Sequence, residues 1–285
     1  MPSDFDVCVV GLGLMGGSLA LALREAGWRG RLTAVSRNPA TLAAAESSGA
    51  IDQGFTELAA GVAGAGMVVL ATPVRTLLRQ LPEVGSHART GAIVLDMGST
   101  KVEICAALAG LPPGLEPVGG HPMCGKEKAG FQAADASLYR GKTFVLCPLP
   151  RTSEVALRST HELVEAIGAQ PLVLDPNAHD RAAAAISHLP YALAVALVNA
   201  VAEAGDPLTW TLAASGFRDT SRVAASDVDM MLDILLSNRR NVMEWLRAYA
   251  RQFASLYDAL SEQDEAALRL QLTLAQEARA RLNTG

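Results

Sequence analysis

The chain has 285 residues, half of them hydrophobic, enough for one large domain or two ordinary ones with a substantial core. Its formal net charge of −5, with Lys and Arg scattered, offers no basic stripe to nucleic acid or to an anionic membrane, so a small-molecule role fits better. The cysteines Cys8, Cys105, Cys124 and Cys147 lie far apart, with no CxxC and no histidine spacing suited to zinc; no metal site is expected, and the thiols read as reduced in a cytoplasmic protein. The start, MPSDFD, lacks a basic leader region, and no uninterrupted apolar run is expected to span a membrane.

Along residues 1–175, β-type runs (VCVVG, RLTAVS, MVVLATP, AIVLDMG, TFVLCP, PLVLD) alternate with helical ones (LALALREAG, ATLAAAES, VEICAALAG, SEVALRSTHELVEAIG). This alternation predicts βαβ units, hence an α/β Rossmann domain with a mostly parallel sheet and helices on both faces. From Pro176 the strand signal stops. Residues 176–285 read as an all-α domain, its helical segments broken at Gly205-Asp206-Pro207 and at Ser215-Gly216. There, Val242, Leu246, Tyr249, Phe253, Leu256 and Leu260 recur at spacings of four and three, a coiled-coil-like seam that serves either intradomain packing or a subunit interface.

Gly11-Leu12-Gly13-Leu14-Met15-Gly16 matches GxGxxG, directly after the β run Val7 to Val10 and before a helical run from Ser18. That context is what dinucleotide binding requires: Gly11 allows the tight turn, Gly13 admits the pyrophosphate to the backbone, and Gly16 lets the helix lie on the strand. Leu14 and Met15 complete the turn, where helix N–H groups face phosphate, and Gly17 is a small residue for helix–strand contact. A carboxylate that would hold the ribose 2′-hydroxyl of NAD is missing after the second strand, which continues Ser36-Arg37-Asn38. A hydroxyl and a guanidinium suit a 2′-phosphate, so NADP is expected to be preferred, with NAD possible as a second cofactor. Thr72 and Pro73 end another strand on the cofactor cleft. After Asp96-Met97-Gly98, Ser99 is left for chemistry and Thr100 is expected to cap the next helix, with Glu103 closing a capping box.

A second polar stretch, GGHPMCGKEKAG, carries His121 just past an apparent strand from Glu116 to Gly119. A neutral imidazole with a pKa of about 6.5 can accept a hydroxyl proton when a carbinol is oxidised. In the helical half, ISHLPY holds His188 beside Pro190, which is expected to kink its helix, and GFRDTSR reads as a Gly-entered loop. One of its arginines is expected to pair with Asp219 and the other to bind a carboxylate.

Taken in order, GLGLMGGSLA, DMGSTK, GGHPMCGKEKAGF, ISHLPY and GFRDTSR resemble the prephenate/arogenate (cyclohexadienyl) dehydrogenase family of tyrosine biosynthesis, over nearly the whole chain. The resemblance implies a Rossmann domain followed by a helical domain that binds substrate and forms a homodimer, drawn here as 1–175 and 176–285. It implies oxidative decarboxylation of prephenate or arogenate, without metal. By the same resemblance, His121 hydrogen-bonds the C4 hydroxyl and Ser99 orients it; Arg222 binds a substrate carboxylate, His188 and Tyr191 line the pocket, and Glu127 joins an ionic network. Tyr191 stands where prephenate-using members often have a second histidine. Other readings are a β-hydroxyacid dehydrogenase or imine reductase and a non-catalytic dinucleotide sensor. The hydroxyacid enzymes use a helix-borne lysine in the second domain, and this chain has no lysine beyond Lys142.

Overall fold

The structure, a computed structural model, describes residues 5–126 and 128–283, so Glu127 lies outside the described residues. Strands β1 (Val7–Val10), β2 (Leu32–Val35), β3 (Gln53–Phe55), β4 (Met67–Leu70), β5 (Ile93–Asp96), β6 (Glu116–Pro122), β7 (Thr143–Pro148) and β8 (Gln170–Val173) form one sheet in the order β3-β2-β1-β4-β5-β6-β7-β8. Every pairing is parallel except β6 with β7. Helices α1 (Leu14–Glu25), α2 (Pro39–Ser47), α3 (Leu58–Val62), α4 (Val74–His87), α5 (Val102–Ala109) and α6 (Glu154–Ala166) accompany them. The sequence runs had suggested neither the three-residue β3 nor α4, which carries Pro82 inside it yet buries Leu77, Leu81 and Val84.

The mostly parallel Rossmann architecture is therefore as expected, and its core explains the continuous apolar strands. Side chains alternate across a strand, so Val7, Val9, Met67 and Val69 pack on one face while Cys8, Val10, Val68 and Leu70 pack on the other. Cys8 is fully buried, and burial pushes its thiol up to about 11, out of reach of redox chemistry. Between β1 and β4 the strand order reverses, which opens a crevice at their carboxyl ends.

After the sheet come α7 (Pro176–Ala183), α8 (Leu189–Glu203), α9 (Pro207–Thr211), α10 (Ser215–Ser221) and α11 (Val228–Ser237). The expected kink at Pro190 takes the form of a π-helical turn over Ala184–His188, since proline removes the N–H that would continue the α ladder. The stretch SGFRDTS is not the expected loop. It forms α10, followed by a 3-10 turn over Arg222–Ala225, because glycine in a first turn is tolerated and both pieces pack against α8.

By contacts the chain divides into residues 1–238 and 239–285, which groups α7 to α11 with the sheet. The second unit consists of α12 (Arg239–Ser261) and α13 (Glu265–Ala280), whose first turn is capped by Asp264. On α12, Leu246, Tyr249, Phe253 and Leu260 of the seam are exposed while Val242 is buried. By length and composition alone, the run Pro176–Glu203 is long and apolar enough to cross a membrane. It nevertheless carries His179, Asp180 and His188, all buried and hydrogen-bonded within the first unit.

Candidate active site

At the crevice, Gly11 has φ +100°, and a Cβ there would lie 2.7 Å from the Thr72 methyl, so the ends of β1 and β4 meet at the turn. A Cβ on Gly16 would lie 2.0 Å from the Gly11 carbonyl oxygen. Gly13, in contrast, has no heavy atom within 4 Å of its missing side chain. It is also the N-cap of α1 and brings no side-chain acceptor to the first-turn N–H groups. The turn is thus closed beneath and open above, the shape a pyrophosphate fills, and the positive end of α1 faces that space. Leu14 and Met15 are half-buried there.

Gly17 proves to serve a different neighbour from the one expected. Its Cβ would sit 2.7 Å from the Phe131 ring and 3.0 Å from Ala134, so it accommodates the segment after β6 instead of the strand. That segment grips α1 elsewhere too: the Asp135 N–H donates to the Ser18 hydroxyl (2.9 Å), and the buried Tyr139 hydroxyl donates to the Met15 carbonyl (2.6 Å). At the end of β2, the Ser36 hydroxyl accepts from the Asn38 N–H (3.3 Å), and the exposed Arg37 has no ion-pair partner among the described residues. The Thr72 hydroxyl donates to the Gln80 side-chain oxygen (2.7 Å), and Pro73 is the N-cap of α4.

The second cluster is built on β5 and β6. Strand β6 continues to Pro122, so His121 lies inside the strand, opposite Val145, and not on a loop after Gly119. Asp96, at the end of β5, accepts from the N–H groups of Gly98 (2.8 Å) and Gly120 (2.9 Å) and forms an ion pair with Lys101. Lys101 also donates to the Gly120 carbonyl, and both charged side chains are fully buried. The residue before His121 is thus braced on both its N–H and its carbonyl.

Thr100 does not cap α5. Its hydroxyl pairs with that of Ser237 (2.9 Å), and the first-turn N–H groups of Lys101 and Val102 donate instead to the Asp180 carboxylate (2.7 and 2.9 Å). A cap supplied from α7 replaces the local capping box. The same carboxylate lies 2.8 Å from Nδ1 of His179, and Nε2 of His179 lies 2.8 Å from Nδ1 of His121. Burial holds the half-buried His121 well below the ordinary imidazole range, and His179, Lys101 and His188 push the same way.

Expected to line a pocket, His188 is instead 1% exposed, and the Asn238 amide bridges its Nδ1 (3.2 Å) and the Asp180 carbonyl (2.7 Å). Burial lowers its pKa to about 4, Asp180 opposing and His179 adding to the shift. Ser99 is half-buried just after β5, Tyr191 is half-buried in the first turn of α8, and Arg222 is exposed on the 3-10 turn against α8. Sequence reasoning missed Lys101, His179, Asp180, Asn238 and Tyr139. Of these only Lys101 carried a local signal, standing five residues after a strand-end aspartate.

An open glycine turn at the sheet's reversal point, with a braced histidine on a nearby strand, defines a dehydrogenase of the Rossmann class that uses a nicotinamide dinucleotide. Residues 19–173 match the family model of the prephenate dehydrogenase nucleotide-binding domain, and residues 175–274 that of the prephenate dehydrogenase dimerization domain. The chain belongs to the prephenate dehydrogenase family. It is 32% identical over 262 residues to the prephenate dehydrogenase of Bacillus subtilis, covering 90% of this chain and 71% of that one. A crystal structure of Aquifex aeolicus prephenate dehydrogenase with hydroxyphenyl propionate and NAD+ matches with a TM-score of 0.91 at 31% identity, covering 98% and 99% of the two chains. Synechocystis arogenate dehydrogenase matches with a TM-score of 0.83, also at 31% identity, over 97% and 99%.

Proposed function

We propose that the protein oxidatively decarboxylates prephenate, arogenate or both, giving 4-hydroxyphenylpyruvate, tyrosine or both, with NADP preferred over NAD. The observation that carries this reading is His121, fixed in β6 by the Asp96–Lys101 brace and kept neutral by burial. A neutral imidazole is the form that accepts the C4 hydroxyl proton. When bound, the dinucleotide supplies the acceptor for the hydride leaving C4. Gly11, Gly13 and Gly16, with the N–H groups of Leu14 and Met15, hold its pyrophosphate; Ser36 and Arg37 take the 2′-phosphate, and Thr72 and Pro73 flank the ribose.

Ser99 orients His121 and the hydroxyl, Arg222 holds a substrate carboxylate, and Tyr191 lines the pocket with His188 behind it; the role the resemblance implies for Glu127, in an ionic network, falls outside the described residues. Loss of CO2 is driven by aromatisation of the ring, so these residues need only position the substrate and take one proton. The relatives stand on both sides of the substrate question, a prephenate and an arogenate dehydrogenase at 32% and 31% identity. Residues 176–285 form the substrate and dimer half in this reading, supported by the dimerization-domain match and the exposed apolar side chains of α12. The four free cysteines support a cytoplasmic setting, and the acidic net charge supports small molecules over nucleic acid or an anionic membrane as partners.

The test is reduction of NADP+ and NAD+ with prephenate and, separately, with arogenate, by wild type and His121→Asn. Loss of the base is expected to lower kcat by about 10²-fold or more. Turnover of neither substrate, or near-full kcat in the variant, ends this reading, and a clear advantage for NAD+ ends the assignment of Ser36 and Arg37.

A further inference from the structure

We propose that His179, backed by Asp180, is a positioning residue that fixes the tautomer and direction of His121, so that Nε2 of His121 is the atom that receives the substrate proton. This inference rests on the reading of His121 as the base and goes beyond it in naming what makes that base productive.

Asp180 accepts from the backbone N–H groups of Lys101 (2.7 Å) and Val102 (2.9 Å), so its oxygens are held as acceptors at the positive end of α5. Nδ1 of His179, 2.8 Å from that carboxylate, must therefore carry the hydrogen. With a single ring hydrogen, held at Nδ1 by the carboxylate, His179 presents a lone pair at Nε2. That lone pair faces Nδ1 of His121 at 2.8 Å, and two lone pairs cannot bond, so Nδ1 of His121 carries its ring hydrogen. The free lone pair of His121 is left on Nε2, at the far side of the ring.

Geometry adds direction to this assignment. The two imidazoles meet edge to face, with centroids 5.0 Å apart and planes at 72°, so rotation of His121 would break the bond. His179 and Asp180 are 2% and 1% exposed, which removes water as a competing partner. Once His121 takes a proton at Nε2, the cation stays hydrogen-bonded to a ring whose other nitrogen is on a carboxylate. The order of parts is base, second histidine, carboxylate, with the carboxylate held by a helix N-terminus.

The chain has five histidines, so ring-nitrogen NMR of the full-length protein is tractable, with His121→Asn supplying the assignment. Wild type is expected to show His121 protonated at Nδ1 and bare at Nε2, with no substrate present. In His179→Leu the His121 signals are expected to average between tautomers, and kcat to fall about tenfold or more at little-changed KM. His179→Gln, which restores an acceptor toward Nδ1, is expected to restore the tautomer and much of kcat. A wild-type His121 protonated at Nε2 overturns the proposal even if no variant folds. So does a folded His179→Leu with unchanged tautomer and kcat. If wild type turns over neither substrate, it is the assigned reaction that fails, and the NMR result still decides the positioning.

Discussion

Lys101→Met tests the brace behind His121. The substitution keeps the length of the side chain but leaves Asp96, fully buried, with only the N–H groups of Gly98 and Gly120. Removing one partner of a buried ion pair costs about 3–5 kcal/mol, because the remaining charge is uncompensated. Set against a typical total of about 5–15 kcal/mol, this is a large share of the stability. The loss should also depend on pH in a defined sense. Burial already pushes the Asp96 carboxyl upward and Lys101 opposes it, so deleting the lysine lets the shift grow. A carboxyl whose folded pKa lies above its unfolded value loses stability as pH rises through the folded pKa, so the deficit of the variant is larger at pH 8 than at pH 4. Urea unfolding followed by circular dichroism at both pH values measures it. Asp96→Asn in the same chain should recover much of the deficit by removing the stranded charge. A deficit under about 1 kcal/mol, or one equal at both pH values, refutes the argument from buried charge.

Two glycines of the dinucleotide turn should separate folding from binding. Gly16→Ala, with its Cβ 2.0 Å from the Gly11 carbonyl oxygen, is expected to lower Tm sharply. Gly13→Ala meets no protein atom and should leave Tm unchanged while weakening dinucleotide Kd about tenfold, or about 1.4 kcal/mol; calorimetry and titration showing the two alike would contradict the assigned roles. For His188, lowered from 6.5 to about 4, the unfolded chain binds a proton first as pH falls. Stability is therefore lost between pH 6.5 and 4, by about 3 kcal/mol from this group, and unfolding curves of wild type and His188→Gln should converge at low pH. The rate profile should reflect His121 in the same direction: its acid limb lies below pH 6.5, and a limb above that value would mean the imidazole is not shielded.

Where the reading from sequence succeeded, the physics was local. A strand, a glycine turn and a helix are adjacent in the chain, so GLGLMGG and the alternating apolar runs were legible without coordinates. It failed where partners are distant. Thr100 and Glu103 looked like a capping box, yet α5 is capped by Asp180 from 79 positions away. GFRDTSR looked like a loop because its glycine was weighed without α8, against which it packs as a helix. Gly17 was matched to the strand beside it and proved to face Phe131.

The sequence by itself determined the α/β class and the strand–glycine turn–helix unit, because each depends on residue types at short, fixed spacings, and it singled out His121 as a candidate. Only the tertiary structure decided what surrounds that histidine. Lys101 and Asp96 close on Gly120 from β5, and His179 and Asp180 arrive on α7, after the strand signal has ended. Burial then makes each of those polar groups require a partner, and the fold selects that partner by distance in space, a quantity that spacing along the chain does not encode.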